Sequence, residues 1–233
     1  MPSHQSSLST SILADRLIVF TKFPEPGQVK TRLIPALGAL RAAQFQTALT
    51  QHTLSVAKQF CIDYPCDLEV CFTGGSVASI CRLYGNEFRY TLQVGNNLGE
   101  RLMHAVSAAF AEGGKRVVVI GTDCPEISPS LLATAFRALL PQTIVLGPAT
   151  DGGYYLIGTG VNRPELFQGI DWSTEKVLRQ TLEIARHSRC VVHQLIPLTD
   201  VDTPEDLGAY TVPLEYSSAF CLNRPGNGTY FSE

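Results

Sequence analysis

Residues 116–127, RVVVIGTDCPEI, contain the strongest strand signal in the chain. Three valines and an isoleucine run without interruption up to Gly121, and such runs are typical of a strand that is buried on both faces. Strands of this kind lie at the centre of parallel sheets that helices cover on both sides. The stretch therefore predicts the central strand of an α/β domain, with Asp123 just beyond its carboxyl end.

Strand-like and helix-like segments alternate on both sides of this central strand. Further strands are predicted over 16–21, 67–73, 88–94, 143–147, 154–157 and 190–195. Helices are predicted over 37–60, 76–84, 98–111 and 174–186, with one more capped by Ser128 and a short last one opening at Pro204. The alternation favours a largely parallel sheet with helices on its faces.

Chain length and net charge exclude several classes of protein. The 233 residues carry 18 Lys and Arg against 21 Asp and Glu, a formal net charge of −3. A chain of this mass can bury roughly 70% of its unfolded surface, so neither disulfides nor a structural metal are needed. The acidic balance argues against nucleic-acid binding, and no apolar run approaches the ~20 residues of a membrane span. We expect a soluble cytoplasmic protein, and its oligomeric state is open.

The expected organisation is one α/β domain with two flanking segments. Residues 1–15 are polar and Ser-rich, lack a signal-peptide pattern and are predicted to be disordered. The domain spans 16–210. The tail at 211–233 has only weak periodicity.

Seven cysteines are present, and no two form a Cys-x-x-Cys pair. Cys61, Cys66 and Cys71 are spaced by five residues, which matches neither a zinc finger nor a zinc ribbon. Reduced, mostly buried thiols are the favoured interpretation. A metal or redox role for these three is the alternative.

The loop after the first strand, TKFPEPGQVKTRL at 21–33, combines Gly27 with the cations Lys22, Lys30 and Arg32. Backbone N–H groups in a Gly turn and basic side chains are the groups that bind polyphosphate. The spacing is that of neither a Walker loop nor GxGxxG. A solvated basic loop is the alternative.

Two carboxylates follow other predicted strands. Asp123 is suited to hold Mg²⁺ or Mn²⁺, and Asp202, just before the last helix, is a candidate second ligand. For Asp123, a structural role in capping the following turn stays open. A third acidic residue, Asp151, precedes Gly152 and Gly153, which permit close approach of a ligand or form a plain hairpin turn.

Six motifs, in this order, resemble a known bacterial family: VFTKFPEPGQVKTRL, NNLGERL, GTDCPEIS, GPATDGGYYLIG, WSTEKVL and DVDTPEDL. The family is uncharacterised and is usually described as a radical-SAM/selenodomain-associated transferase or as a glycosyltransferase. It is similar to the GT-A superfamily of nucleotide-diphospho-sugar transferases, which also contains nucleotidyltransferases. The resemblance implies a single-domain three-layer α/β/α sandwich of the GT-A fold, with a mixed, mainly parallel sheet.

The resemblance also implies roles for individual residues around a bound nucleotide. Lys22, Gly27, Lys30 and Arg32 would hold the nucleotide phosphates, and Lys30 and Arg32 would stabilise charge on the leaving phosphate. Gln93, Glu100 and Arg101 would lie near the base.

The remaining implied roles concern metal and substrate. Asp123 would be both catalytic and a metal ligand, and Asp202 the second ligand of Mg²⁺ or Mn²⁺. The substrate side would be lined by Asp151, Gly152, Gly153 and Trp172. One departure from the family pattern is Asn97, where the family more often carries an Asp. A second is the absence of an Asp-x-Asp at the central strand.

Two reactions and one binding role are consistent with this site. In the first reaction a nucleotide-sugar gives its sugar to a small-molecule acceptor. In the second an NTP gives a nucleotidyl group and releases pyrophosphate. The binding role is a non-catalytic nucleotide-binding module.

Overall fold

Seven strands form one sheet in the computed structural model, which describes residues 15–209. They are β1 (Asp15–Lys22), β2 (Asp67–Thr73), β3 (Arg89–Leu92), β4 (Arg116–Ile120), β5 (Thr143–Pro148), β6 (Tyr154–Thr159) and β7 (Val191–Gln194). Their order across the sheet is β3-β2-β1-β4-β6-β5-β7. The predicted disordered segment, apart from Asp15, and the predicted tail at 211–233 lie outside the described residues.

The sheet is mixed and mainly parallel, as predicted. β6 runs antiparallel to β4 and β5, whereas every other neighbouring pair is parallel. β4, the RVVVI stretch, lies in the middle of the seven, and Val117 and Val118 have no exposed surface. Its uninterrupted apolar run therefore reflects burial on both faces.

Helices cover both faces of the sheet and produce three layers. They are α1 (Ile34–Leu37), α2 (Ala39–Asp63), α3 (Val77–Tyr84), α4 (Leu98–Ala111), α5 (Pro129–Ala138), α6 (Val177–His187) and α7 (Pro204–Ala209). On one face α2, α3 and α5 pack around residues such as Phe60, Ile80 and Phe136. On the other, α4 and α6 pack with the 3-10 turn Pro164–Phe167. The predicted α/β/α sandwich is confirmed.

Most predicted elements form within a few residues of their expected bounds. Ser128 caps α5 by accepting a hydrogen bond from the Leu131 N–H at 3.3 Å, as predicted. The start of α6 differs, because it begins at Val177 rather than at 174. Ser173 has a φ of 64° there, and the Thr174 side chain bonds locally to Asp171, so a turn precedes the helix.

A small apolar cluster fixes the loop after β1 against the rest of the molecule. It contains Leu33, Phe45, Leu49 and Val201, with Leu207 of α7 packed against it. The cluster joins the basic loop, the start of α2 and the segment before α7. Within residues 15–209, no helix combines the length and apolar character that crossing a membrane requires.

Candidate active site

A pocket of about 320 Å³ opens at the carboxyl ends of β1, β2 and β4. This edge is where ligands bind in open α/β sheets. The structure brings six of the predicted site residues together in its lining: Lys22, Lys30, Gln93, Arg101, Asp123 and Asp202. They lie at the end of β1 and in the loop after it, after β3, in the first turn of α4, after β4 and before α7. All these segments meet at this edge, which explains why residues so far apart in sequence come together.

Lys30 is the most constrained residue of the pocket. Its ammonium donates hydrogen bonds to the Val201 carbonyl and to Asp202 Oδ1, each at 2.8 Å, and forms an ion pair with Asp123 Oδ1. The side chain is only 2% exposed. Burial alone would lower the pKa of Lys30, but the two carboxylates more than offset that effect and raise it above its ordinary value. The lysine is therefore charged and held between two acidic side chains.

The two carboxylates are held by backbone contacts between their loops. The Val201 N–H donates to the Asp123 carbonyl at 2.9 Å, which joins the β4 loop to the segment before α7. Asp206 accepts hydrogen bonds from the Asp202 N–H at 3.0 Å and the Thr203 N–H at 2.7 Å. Asp206 thus has the structural role expected at a helix N-terminus, and Asp202 is left to face the pocket.

The surroundings of these carboxylates are acidic. Burial, followed by the charge of Asp151 and smaller contributions from Asp202 and Asp123, raises the pKa of Asp200 to about 6. Asp151 itself accepts a hydrogen bond from the Gly153 N–H at 2.7 Å. Lys30 therefore neutralises only part of the negative charge gathered at this end of the sheet.

The two carboxylates suit a hard divalent cation whose coordination shell is completed by a bound ligand. Asp123 and Asp202 each place one oxygen on the same point, now taken by the Lys30 ammonium. Among residues 15–209 no three His, Cys, Asp or Glu side chains are arranged to hold a metal by themselves. Mg²⁺ usually binds through one or two carboxylates together with substrate phosphates and water. The residues fit such an ion.

Gln93 and Arg101 form the opposite side of the pocket. Gln93 Nε2 donates to the carbonyls of Thr21 at 3.0 Å and Cys71 at 3.1 Å, at the ends of β1 and β2. Both amide hydrogens are thereby used, so the side-chain oxygen is the group that can meet a ligand. Arg101 Nε donates to the Gly95 carbonyl at 3.0 Å, which leaves its terminal nitrogens as the remaining donors.

Three of the residues predicted to lie around the nucleotide are outside this lining. Gly27, with a φ of 85°, and Arg32 are exposed on the basic loop. Glu100 accepts hydrogen bonds from the Asn96 N–H and side chain at 2.8 and 3.1 Å, at the start of α4. Asn97 caps the same helix through the Glu100 N–H at 2.9 Å.

The four residues predicted for the substrate side also lie outside this lining, and Asp151 is exposed. Gly152 has a φ of 90°, and a Cβ there would lie 2.6 Å from the Glu175 Cα, so the turn before α6 fills that space. The turn closes as a hairpin, with the Ala149 N–H donating to the Gly153 carbonyl at 3.1 Å. Trp172 packs edge-to-face on Tyr154, with ring centroids 6.3 Å apart.

Comparison with known sequences and structures identifies the family. Residues 55–174 match the sequence profile of DUF2064, described as uncharacterized proteins conserved in bacteria. A crystal structure from Desulfovibrio desulfuricans G20, provisionally named a nucleotide-diphospho-sugar transferase, is 36% identical. It matches with a TM-score of 0.73 over 82% of this chain and 83% of that chain. The chain belongs to the DUF2064 family.

More distant structures share the fold. A nucleotidyl transferase from Methanothermobacter thermautotrophicus is 14% identical, with a TM-score of 0.54 over 84% of this chain and 95% of that chain. Glucosyl-3-phosphoglycerate synthase from Mycobacterium tuberculosis, in complex with Mn²⁺, UDP and phosphoglyceric acid, is 13% identical. Its TM-score is 0.50, over 84% of this chain and 74% of that chain. A comparison with curated proteins gives no match. The GT-A-like architecture is thus shared with enzymes of two reaction types.

Sequence reasoning missed a buried polar group at the base of the pocket in this DUF2064 protein. Gln46 of α2 donates to the hydroxyls of Thr122 at 3.0 Å and Thr50 at 3.3 Å. Thr50 in turn contacts the Thr21 hydroxyl at 3.1 Å. The signal was present, because Gln46, Thr50 and Thr53 interrupt the buried face of α2 at helical spacing.

Proposed function

We propose that the protein transfers a group from a nucleotide-activated donor, with sugar transfer from a nucleotide-sugar as the first candidate reaction. The observation that carries the proposal is the pocket that joins Asp123 and Asp202 to Gln93, Lys22 and Arg101 at the carboxyl edge of the sheet. The provisionally named sugar transferase at 36% identity supports it.

Asp123 and Asp202 would hold Mg²⁺ or Mn²⁺, which would neutralise charge on the nucleotide phosphates. The Mn²⁺ and UDP bound to the mycobacterial synthase support this role at the level of the fold. Lys22 is exposed at the pocket and is suited to bind the outer phosphate. Lys30 and Arg32 would stabilise charge on the leaving phosphate once the nucleotide is bound.

The base would lie against Gln93 and Arg101. The oxygen of Gln93 accepts from an N–H of the base, while the Arg101 guanidinium donates to a ring or carbonyl acceptor. Glu100 would contribute by holding the Asn96 turn beside them. Asp151, Gly152, Gly153 and Trp172 would shape the acceptor side, with a small molecule rather than a nucleic acid as acceptor.

Nucleotidyl transfer is the second candidate, because the basic loop and the DTPEDL motif suit an NTP whose pyrophosphate leaves. The two reactions differ in their leaving groups. Sugar transfer releases a nucleoside diphosphate, whereas nucleotidyl transfer releases pyrophosphate. A non-catalytic module would bind nucleotide and release neither.

A thermal-shift panel of NTPs and nucleotide-sugars, each with and without Mn²⁺, tests the proposal. A ligand at ~100 times its dissociation constant adds about 2.7 kcal/mol of stability, so a true ligand is visible. A Mn²⁺-dependent nucleotide-sugar hit that yields a nucleoside diphosphate would support the first candidate. An NTP hit followed by pyrophosphate release would support the second. Stabilisation without turnover for any tested acceptor would support the binding module.

A further inference from the structure

We propose that Lys30 is a built-in cation that competes with a divalent metal for Asp123 and Asp202. In this role the Lys30 ammonium occupies the metal site until a nucleotide binds. The phosphates of the nucleotide then provide other acceptors for the ammonium. The inference rests on the proposed function, since it assumes that these two carboxylates hold the metal.

The contacts of Lys30 surround its ammonium with acceptors of this chain. It donates hydrogen bonds to the Val201 carbonyl and to Asp202 Oδ1, and it forms an ion pair with Asp123 Oδ1. Its side chain is 2% exposed. The ammonium is therefore engaged within the protein while this arrangement persists.

The ammonium and a divalent cation cannot share this position. Both cations would lie where the Asp123 and Asp202 oxygens converge, and two positive charges so close together repel strongly. Metal binding at this point therefore requires Lys30 to leave. When Lys30 leaves, it loses two charge-assisted hydrogen bonds. This loss lowers the affinity of the site for a metal ion in the absence of nucleotide.

The segment around Lys30 combines a strained backbone position with an exposed turn. Lys30 itself has a φ of 45°, a left-handed conformation that non-glycine residues adopt at a cost, and its contacts cross to a distant part of the chain. Residues 25–28 just before it are exposed, and Lys22 closes this turn by donating to the Gln28 carbonyl at 2.6 Å. Phosphate oxygens entering the pocket offer replacement acceptors to the ammonium.

The test is Mn²⁺ binding to the full chain in the absence of nucleotide, measured by titration calorimetry. Lys30→Met and Lys30→Gln remove the charge, and both should bind Mn²⁺ at least ~10-fold more tightly than the unmodified chain. Lys22→Met removes a neighbouring charge from the same loop and should change the affinity by less than ~3-fold. Circular dichroism confirms that each variant is folded.

Three results would overturn the inference. Equal Mn²⁺ affinity in the unmodified chain and both Lys30 variants would show that Lys30 does not compete, while leaving the proposed metal site intact. Weaker binding in the variants would show that Lys30 supports the metal. If the unmodified chain and all variants fail to bind Mn²⁺, both the inference and the metal of the proposed function are wrong.

A separate observation carries a second inference at the opposite end of the sheet. Cys61, near the end of α2, and Cys66, just before β2, place their sulfur atoms 3.0 Å apart. Cys71 lies in β2 within the core cluster of the other face, so only two of the three evenly spaced cysteines meet. We infer that Cys61 and Cys66 form a reversible disulfide when the protein meets a peroxide.

The chemistry needs only the two thiols and the peroxide. The Cys61 thiolate attacks one peroxide oxygen and forms a sulfenic acid as the first water departs. The Cys66 sulfur then attacks the Cys61 sulfur, forming the disulfide and releasing the second water. Cys61 is the half-exposed partner, and the Cys66 thiol lowers its pKa by hydrogen bonding. The bond ties α2 to β2, away from the pocket.

Intact-mass spectrometry of the full chain after mild hydrogen peroxide treatment tests this site. We expect the mass of the unmodified chain to fall by two hydrogen atoms, and dithiothreitol to reverse the change. Neither Cys61→Ser nor Cys66→Ser should show this fall in mass. Cys81→Ser, at another half-exposed cysteine, is the matched control and should still show it. Persistent loss in either of the first two variants, or no loss in the unmodified chain, would overturn the inference.

Discussion

Gly99, in the first turn of α4, lies directly against the indole ring of Trp172. A Cβ at Gly99 would overlap the indole nitrogen and would sit 2.6 Å from the Phe167 carbonyl oxygen. The NNLGERL and WSTEKVL motifs therefore meet through this one contact. The glycine is required because of close approach, since its φ lies outside the positive range.

Gly99→Ala should lower the free energy of unfolding by about 1–3 kcal/mol, because overpacking forces neighbouring groups apart. Trp172 is the only tryptophan in the chain, so its fluorescence spectrum should shift as the ring moves. Urea denaturation followed by fluorescence measures both effects. Gly121→Ala is the control, because a Cβ there meets only ordinary contacts. An unchanged spectrum and midpoint for Gly99→Ala would contradict the packing argument.

Gln93→Met should weaken nucleotide binding about 10-fold and reduce discrimination between bases. The amide is oriented by the Thr21 and Cys71 carbonyls, and methionine keeps the length but neither donates nor accepts strongly. Calorimetric titration of CTP, UTP, GTP and ATP checks the prediction. Binding of inorganic pyrophosphate, which has no base, should not change. An equal loss for pyrophosphate and nucleotides would indicate that Gln93 acts on the phosphates.

Asp123→Asn and Asp202→Asn should each reduce turnover by ~10²-fold or more, because each removes one carboxylate of the proposed metal site. Both side chains are partly exposed, so the fold should survive, as circular dichroism would show. EDTA should have the same effect on the unmodified chain, with recovery on adding Mn²⁺. Glu183→Gln, exposed on α6, is the control and should keep full activity. Normal turnover in Asp123→Asn would remove the basis for the metal assignment.

Stability should fall as pH rises through about 6, in part because of Asp200. The folded protein raises the pKa of this carboxyl from 3.8 to about 6, chiefly by burial and secondly through Asp151, so the folded state binds its proton more tightly. The contribution is complete below pH 3.8 and is lost as pH rises through 6. Asp200→Asn should flatten this part of the melting-temperature profile and raise the melting temperature at pH 7.5. A profile identical to that of the unmodified chain would contradict the assignment to Asp200.

The fold was predictable because the decisive signals are local. The apolar run of β4, the helical periodicity of α4 and the Ser128 cap each follow from a few neighbouring residues. The loops after parallel strands share one edge of a sheet, and that topology places Asp123 and Gln93 in one pocket. These parts of the site follow from the order of strands.

What sequence reasoning could not supply depends on contacts between distant segments. The partners of Lys30 at Val201 and Asp202 depend on a left-handed backbone and on the apolar cluster that holds the loop. The pairing of Gly99 with Trp172 depends on how closely two layers approach. Neither relationship has a signature within a single motif.

Arg16 should be the most sensitive charged residue for stability away from the site. It is 1% exposed at the start of β1 and donates to Glu69 at 2.8 Å and Glu112 at 2.9 Å. Arg16→Met would leave the buried Glu69 with only the more distant Arg89 at 3.9 Å, and breaking a buried pair in this way costs about 3–5 kcal/mol. Urea denaturation measures this cost.

Lys58→Met is the matched control for Arg16. It removes an ion pair of similar length, 2.8 Å to Glu87, in which both side chains are more than half exposed. Water screens exposed pairs of this kind, so the denaturation midpoint should barely move. Equal losses for Arg16→Met and Lys58→Met would mean that the Arg16 cluster is solvated in solution. A much larger loss for Arg16→Met would show that this end of the sheet depends on a buried charge, independently of the pocket at the other end.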